Sequence, residues 1–519
     1  MSSFPLILLQ NRARDENQDT KLTTVDLTPN SHSNFQTRFV IPRNGSILDS
    51  NSSLIWDIAW DGFSDSAADL ATEIVTLKQK AGGLPTLRAA RFYIGGREIF
   101  TSNDTGHKIH IRNLTMGPDH MEEMLDKQVG SSSGYLTVLE GKYEQGPDAP
   151  GTGGVTGRYS RRLGKGDKAV QCSVKLSEIF SALESLQLPM NLDEMRVEID
   201  WETEFDQVAT TWIKGDGTDG TRDYSTVSKT INIVNPRLLL DFVTFDEERR
   251  AGLAEVLQNG MTLPFVHTSM SSKVVQANLT ATERTDDVLL ALQGKLVMKM
   301  YVSHRWADSL SGVVTPYQQV QGRCRSQRGL DMKYNLFIND ISVHDLPVDT
   351  TSKSYTNLVL AAQDPVSIVP GFYDRNDDYA AAVEPGQVVS QNITISDIVL
   401  PGADIASGGG SDASFRESVL GGTGGDSAAK IASSEKLIRD SQAGTQSYIG
   451  FDLAKYDEGS RVVPANAGYR IGSSAVILRL TQKGGVADTP QGEAKTVQVF
   501  TEEVRFLRVA NGVVDITEA

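Results

Sequence analysis

Cysteine is nearly missing from this sequence: Cys172 and Cys324 are the only two in 519 residues. That excludes a disulfide framework and a cysteine zinc site, and it fits a reducing compartment. Long apolar runs are missing too. No stretch approaches the roughly 20 apolar residues that cross a bilayer, so no transmembrane segment is expected. The short run in MSSFPLILLQNRARDE has no basic region before it, so a secretory signal is not expected either. The Asn-x-Ser/Thr sequons at Asn44, Asn51, Asn103, Asn113, Asn278 and Asn392 then read as chance matches. Basic residues are in deficit, with 50 Lys and Arg against 66 Asp and Glu and a net charge of −16. Wrapping nucleic acid needs clustered cations, so that class of function is disfavoured, although a local basic patch is not.

What is present is length, glycine and strand-like alternation. A chain of 519 residues exceeds what one hydrophobic core serves, and 46 glycines imply many turns. The midpoint, INIVNPRLLLDFVTFDEERR at 231–250, reads as a strand from Ile231 to Phe245, broken early by Pro236, running into a helix start at Asp246, Glu247, Glu248, Arg249 and Arg250. Two acids there suit the positive end of a helix. Residues 1–30 read as a polar N-terminal arm. From Phe35, FQTRFVIPRNGSILDSNSSLIWDIAW reads as a hairpin turning at Asn44-Gly45, and Leu70, Ile74 and Leu77 predict a helix over 67–80. RFYIGGREIF (91–100) is a strand, a Gly95-Gly96 turn and a strand. A short amphipathic helix is expected at Pro118 to Gln128, and 144–168, rich in Gly, Pro and charge, as a long exposed loop. Apolar spacing predicts one helix over 175–187, followed by a strand in which Met195, Val197, Ile199 and Trp201 alternate with charged residues.

The second half repeats this grammar. LFINDISV (336–343) answers FYIGGREI at an offset of 244, with Asn339-Asp340 in place of the double glycine. The strand 496–509 answers the one ending at Phe245. Strands are expected at about 273–283, 288–304 and 474–481 between them, and a Gly/Ser/Asp-rich insertion spans 402–446, with a short helix near 428–440. Two similarities in the same order suggest a duplicated unit, and many short strands joined by long connections suggest two antiparallel sandwiches.

Within that frame, RLLLDFVTFDEERR resembles the junction of double jelly-roll major capsid proteins of eukaryotic double-stranded DNA viruses, the group of polinton-like viruses, virophages and nucleocytoplasmic large DNA viruses. NGSILDSNSSLIWDI, LSEIFSALESLQLP and MRVEIDWE are similar to parts of that family's first jelly roll. The resemblance implies an all-β chain of two consecutive eight-stranded antiparallel jelly rolls with short helices and long inserted loops. It divides the chain into 1–30, an arm; 31–245, the first jelly roll; and 246–519, the second. It implies a structural protein of the virion, assembled inside the host cell, whose homotrimeric pseudo-hexagonal capsomers tile an icosahedral shell. The expected partners are further copies of itself, with penton, minor capsid or cement proteins beside them. No cofactor is expected. The alternative is a β-sandwich spike or minor capsid protein that binds glycans or a receptor.

Enzymatic readings find little support. GSSSG at 130–134 matches a nucleophile pattern centred on Ser132, but that motif needs a strand before it and a helix after, the reverse of the order expected here. GKGDK (164–168) lacks the glycine placement and hydroxyl of a phosphate loop. Among the histidines His32, His107, His110, His120, His267, His304 and His344, only His107 and His110 are close, in HKIH, read as a solvated strand end rather than a metal pair. DGTDGTRD (216–223) and DRNDD (374–378) are acidic turns without calcium-loop spacing. Arg158, Arg161, Arg162, Lys165 and Lys168 form a basic cluster, read as a salt-bridging contact between copies rather than a nucleic-acid site.

Overall fold

In this computed structural model, the residues described are 20–43, 46–61, 73–77, 81–114, 136–140, 160–162, 169–185, 188–189, 193–213, 230–245, 258–276, 282–306, 332–344, 346–349, 448–453, 468–473, 475–482, 494–510 and 513–518. To these are added 247, 251, 252, 255, 278, 324, 353, 357 and 361.

Alternating β-branched and aromatic residues make strands, and among the described residues the strands of Thr20–Phe245 pair only with one another, as do those of Met261–Glu518. Eight strands recur in each half. In chain order, the first half has Thr20–Leu27, Gln36–Ile41, Ser53–Asp61, Leu87–Ile94, Arg97–Asn103, Ala169–Lys175, Met195–Trp201 and Thr230–Phe245. The second half has Met261–Val275, Arg284–Leu290, Leu296–Trp306, Met332–Ile338, Ile341–Ser342, Ile449–Asp452, Val476–Gln482 and Lys495–Ala510. In both halves one sheet runs first, eighth, third, sixth, and the other runs second, seventh, fourth, fifth, with every one of these pairings antiparallel. The repeat foreseen from two short similarities is therefore a repeat of the whole strand order.

The hairpins that first betrayed the repeat share one turn geometry. Gly95 and Gly96 have φ of 58° and 78°; Asn339 and Asp340 have 53° and 61°. Two consecutive left-handed residues match the twist of the flanking strands, and Gly, Asn and Asp bear that conformation at least cost. The eighth strands are equally alike, each of 16 residues and each central in its sheet. Pro236 does not end the first of them. Asn235, at φ 49°, and Pro236 form a bulge, across which the register with Ser53–Asp61 shifts, and the strand continues.

Several expectations fail for identifiable reasons. Residues 1–30 are not an arm throughout: Thr20–Leu27 pairs along its length with Leu238–Phe245, because Val25 and Leu27 can pack on the core while polar neighbours face out. Residues 35–60 are not a hairpin. Gln36–Ile41 pairs with Met195–Trp201, and Ser53–Asp61 with Ala169–Lys175 and Thr230–Phe245, so the two strands lie in opposite sheets. Within the helix expected over 67–80, the described residues Glu73–Leu77 are a strand: pairing with Ala209–Ile213 overrides the local apolar spacing, and β-branched Ile74, Val75 and Thr76 suit it. The helix at 175–187 is two short ones, Leu176–Ile179 and Ala182–Ser185. They are separated because Phe180 turns extended and lays its ring edge-on to Phe92 at 5.7 Å. Within the loop expected over 144–168, Ser160–Arg162 is a strand, running parallel to Leu136–Glu140. The strand expected at 273–283 is Met261–Val275, and 288–304 divides between Arg284–Leu290 and Leu296–Trp306. The segments 118–128 and 402–446 lie outside the described residues.

One end of the first sandwich carries an additional sheet. Glu73–Leu77, Leu136–Glu140, Ser160–Arg162 and Ala209–Ile213 pair with one another, and they belong to the connections from third to fourth, fifth to sixth and seventh to eighth strand. Connections that leave odd-numbered strands turn at the same end, so insertions there meet and pair without disturbing either sheet.

The core is formed between the sheets. Trp56 and Trp201, both fully buried, approach to 5.7 Å, and the Trp201 indole N–H donates to Thr37 Oγ1 at 2.7 Å. Burial of each such ring contributes roughly 2–3 kcal/mol. The core of the first half does not stop at Phe245. It includes Phe265, Tyr301, Tyr448, Phe500, Leu507 and Val509 from the second half.

Candidate functional site

Among the described residues, those that join the two halves form a buried polar group. HKIH is not a strand end but part of the helix Thr105–Leu114, which begins where the fifth strand of the first half finishes. On a helix a spacing of three places His107 and His110 on one face, and both are fully buried. His107, Ile109 and Ile111 also alternate in the manner of a strand, which hides the helix from pattern reading.

Two side chains of the second half reach the His107 ring nitrogens. Its Nε2 lies 3.1 Å from the Tyr448 hydroxyl and its Nδ1 lies 3.2 Å from Gln498 Oε1. Gln498 Nε2 in turn donates to Asp104 Oδ2 at 2.7 Å. With Nδ1 donating to Gln498 and Nε2 accepting from Tyr448, the polar atoms of this chain alternate donor and acceptor from one half to the other. The His107 ring also stands edge-on to Phe500 at 5.3 Å and to Tyr448 at 5.7 Å. Asp104 is held at φ 49°, a conformation that costs a non-glycine residue about 1–2 kcal/mol. It places the carboxylate under Gln498 while its carbonyl accepts from Lys108 N to start the helix.

Around this line the joint is mixed apolar and polar. Phe100 meets Phe265 edge-on at 5.4 Å. Lys108 Nζ donates to the Ile179 carbonyl, and Ser181, close to that lysine, lies 3.0 Å from Thr268 Oγ1 of the second half. His267 is nearly buried, and burial first, then the nearby charges of Arg505, Lys108 and Lys295, lower its pKa to about 3. It is therefore neutral at ordinary pH. Beside it, Glu503 is buried between Lys295, at 2.9 Å, and Arg505, whose Nε donates at 2.7 Å. A register shift between Val297 and Lys299 lets the neighbouring Glu502 take Lys299 at 3.4 Å. Burial opposes the Lys299 charge, but Glu502 and Tyr301 outweigh it and the pKa is raised. Burial pushes the Tyr301 phenol up to about 12.

The residues singled out from sequence are elsewhere. Of the junction Asp246, Glu247, Glu248, Arg249 and Arg250, only Glu247 is described. It is helical and exposed, as are Ala251, Gly252, Glu255, Gln258 and Asn259. Of the basic cluster, Arg161 and Arg162 lie on the strand Ser160–Arg162, while Arg158, Lys165 and Lys168 lie outside the described residues, as do Ser132, His120, 164–168, 216–223 and 374–378. His32 bonds Thr37 Oγ1 at 2.7 Å and the Ile233 carbonyl at 2.9 Å, and His344 stacks on Phe451. Among the described residues no three His, Cys, Asp or Glu side chains gather to hold a metal. Cys172 and Cys324 are both buried and unbridged, and burial raises the Cys172 pKa. Two sequon residues, Asn113 and Asn278, are buried and inaccessible to a glycan in the folded chain.

No protein-family model matches the sequence, and no curated protein matches it. Solved structures do match. A chain of the Sputnik virophage superposes with a TM-score of 0.55 at 13% identity, covering 96% of this chain and 88% of that one. A chain of the PBCV-1 virus capsid superposes with a TM-score of 0.54 at 8% identity, covering 97% and 98%. The chain is a double jelly roll. In this double jelly roll the buried histidine lies where the two sandwiches meet, and no helix among the described residues is long and apolar enough to cross a membrane.

Proposed function

We propose that this double jelly roll is a structural major capsid protein whose function is self-association. The supporting observation is that one strand order recurs in both halves and that the chain superposes over 97% of its length on 98% of a PBCV-1 capsid chain. Three chains supply six sandwiches to a pseudo-hexagonal homotrimer, and such capsomers tile an icosahedral shell in the virion. The rolls are taken as 31–245 and 246–519, with the first extended back to include Thr20–Leu27. Residues before Thr20 order on assembly and tie capsomers to one another or to an inner protein. Asp246 to Arg250 cap a helix between the rolls, with Arg249 or Arg250 pairing across it, and Arg158, Arg161, Arg162, Lys165 and Lys168 contact a neighbouring copy. Penton, minor capsid or cement proteins complete the shell, and no chemical step is assigned to the chain. Solution mass and negative-stain microscopy of the purified protein test the reading. Particles of three chains with hexagonal outline are expected, and a stable monomer at micromolar concentration overturns it.

A further inference from the structure

The strand Val513–Glu518 has a bare outer edge. It pairs on one side with Arg505 to Ala510 of the eighth strand of the second half, and among the described residues nothing pairs with its other side. Aligning the two 16-residue eighth strands places Asp515 and Ile516, opposite Arg508 and Leu507, where the first half has Ile47 and Leu48 opposite Val243 and Phe242. There the first half adds one more strand, Leu188–Pro189, outside Ile47–Leu48. Among the described residues the second half has no strand at that position.

The edge is suited to pairing. The Ile516 backbone N–H donates to Asp515 Oδ1 at 3.0 Å, so it points away from the eighth strand. Alternation in an antiparallel ladder then turns the N–H and C=O of Val514 outward as well. Backbone groups on an open edge are a template for a further strand, and a side-chain carboxylate on one of them is a removable guard. The side chains divide in the same rhythm. Val513, Asp515 and Thr517 are exposed, whereas Val514 is buried in the core shared by the two halves and Ile516 is only half covered beside it. An added strand with apolar side chains would cover Ile516 and extend that core.

The sequence supplies such a segment. Phe4 to Leu9, FPLILL, is an unbroken apolar run ahead of the first strand, which begins at Thr20. Proline is tolerated at the start of a strand, so Leu6 to Leu9 keep their N–H groups for pairing. The residues from Leu9 to Thr20 can span roughly 35 Å when extended. Thr20–Leu27 edges its sheet on the side opposite Ala169–Lys175, and contacts to the second half are made from beyond Ala169–Lys175, by Ser181 and by His107. Thr20 therefore lies on the side of the first roll away from its own second roll, which favours a second copy as the acceptor.

We propose that Leu6 to Leu9 of one copy add as a strand to the open edge of Val513–Glu518 in a second copy, displacing Asp515 from the Ile516 N–H. Main-chain hydrogen bonds hold the segment and its alternate side chains cover Ile516. The inference rests on the self-association reading above and names the surface that receives the residues before Thr20.

Hydrogen exchange of the full chain, at a concentration where light scattering finds it associated, tests the edge. The amides of Val514 and Ile516 are expected to exchange about tenfold more slowly in the wild type than in Ile7→Pro with Leu8→Pro, which removes one N–H from each side of the segment. Asp515→Ala, which removes the competing acceptor, is expected to slow them further, and a rate it leaves unchanged counts against displacement of that carboxylate. Asp515 is exposed, and Ile7 and Leu8 precede the first strand, so circular dichroism and melting are expected to match the wild type. Crosslinking tests the occupant. In a mixture of Ile7→Cys chains with Thr517→Cys chains, oxidation is expected to give a two-chain band stronger than either variant gives alone, and a reductant removes it. Equal, fast exchange in the wild type and the proline variant, with association intact, overturns the inference and leaves self-association standing. Protection that survives the proline variant also overturns it, because another segment then covers the edge. A link formed only within chains that carry both cysteines overturns the second copy as the source. A single-chain wild type overturns both readings.

Discussion

At the scale of single residues, Gln498 does more than its exposure or type suggests. Its amide satisfies His107 and Asp104 at once, so Gln498→Ala leaves a carboxylate oxygen and a ring nitrogen in a buried joint without these partners. We expect a loss of about 2–3 kcal/mol in urea unfolding, against less than about 0.5 kcal/mol for Lys333→Ala, whose pair with Glu283 is exposed. His267 gives the joint a pH dependence of known sign. Its folded pKa is depressed to about 3, so between that value and the ordinary histidine range the unfolded chain binds a proton that the folded chain does not. Stability from this group is full above the unfolded value and falls as pH drops through the window, by up to about 1.4 kcal/mol per pH unit. Urea midpoints taken from pH 7 to pH 5 are therefore expected to fall less steeply in His267→Gln than in the wild type.

Among the elements, the helix Thr105–Leu114 is one that pattern reading lost, and its packing shows why it is sensitive. A Cβ on Gly106 would sit 1.9 Å from the Leu84 carbonyl oxygen, an atom of the backbone that has no rotamer to move into. Gly106→Ala is expected to displace the helix and cost about 2 kcal/mol or more, read as a lowered melting temperature. Elements whose period is local were legible without the fold: the Gly95-Gly96 hairpin, the alternating strand Met195–Trp201 and the long strand to Phe245. Those misread were decided by partners far along the chain. Glu73–Leu77 is a strand because Ala209–Ile213 pairs with it, and HKIH is a buried helix because Tyr448 and Gln498 meet it.

For the whole molecule, the continuous core across the joint has a thermodynamic consequence. Phe265, Tyr448 and Phe500 pack into the same cluster as Phe100 and Ile109, so neither roll can unfold without exposing apolar surface of the other. Calorimetry of the wild type is expected to show one transition, with van't Hoff and calorimetric enthalpies near agreement. Two separated transitions would show that the rolls are independent. In Gln498→Ala the coupling is weakened and the transition is expected to broaden.

The sequence by itself determined that the chain is duplicated, β-rich and poor in the residues of disulfide and cysteine-metal chemistry. Composition, two-residue alternation and turn residues act over a few positions, and they survive without knowledge of the fold. The repeat at 336–343 was legible because a left-handed turn admits few residue types. Only the tertiary structure decided that the two halves share a core and are locked through His107. Asp104, His107, Tyr448 and Gln498 are separated by up to 394 residues, and nothing local in any of them marks the other three. Their meaning comes from burial, which turns ordinary polar side chains into obligatory partners.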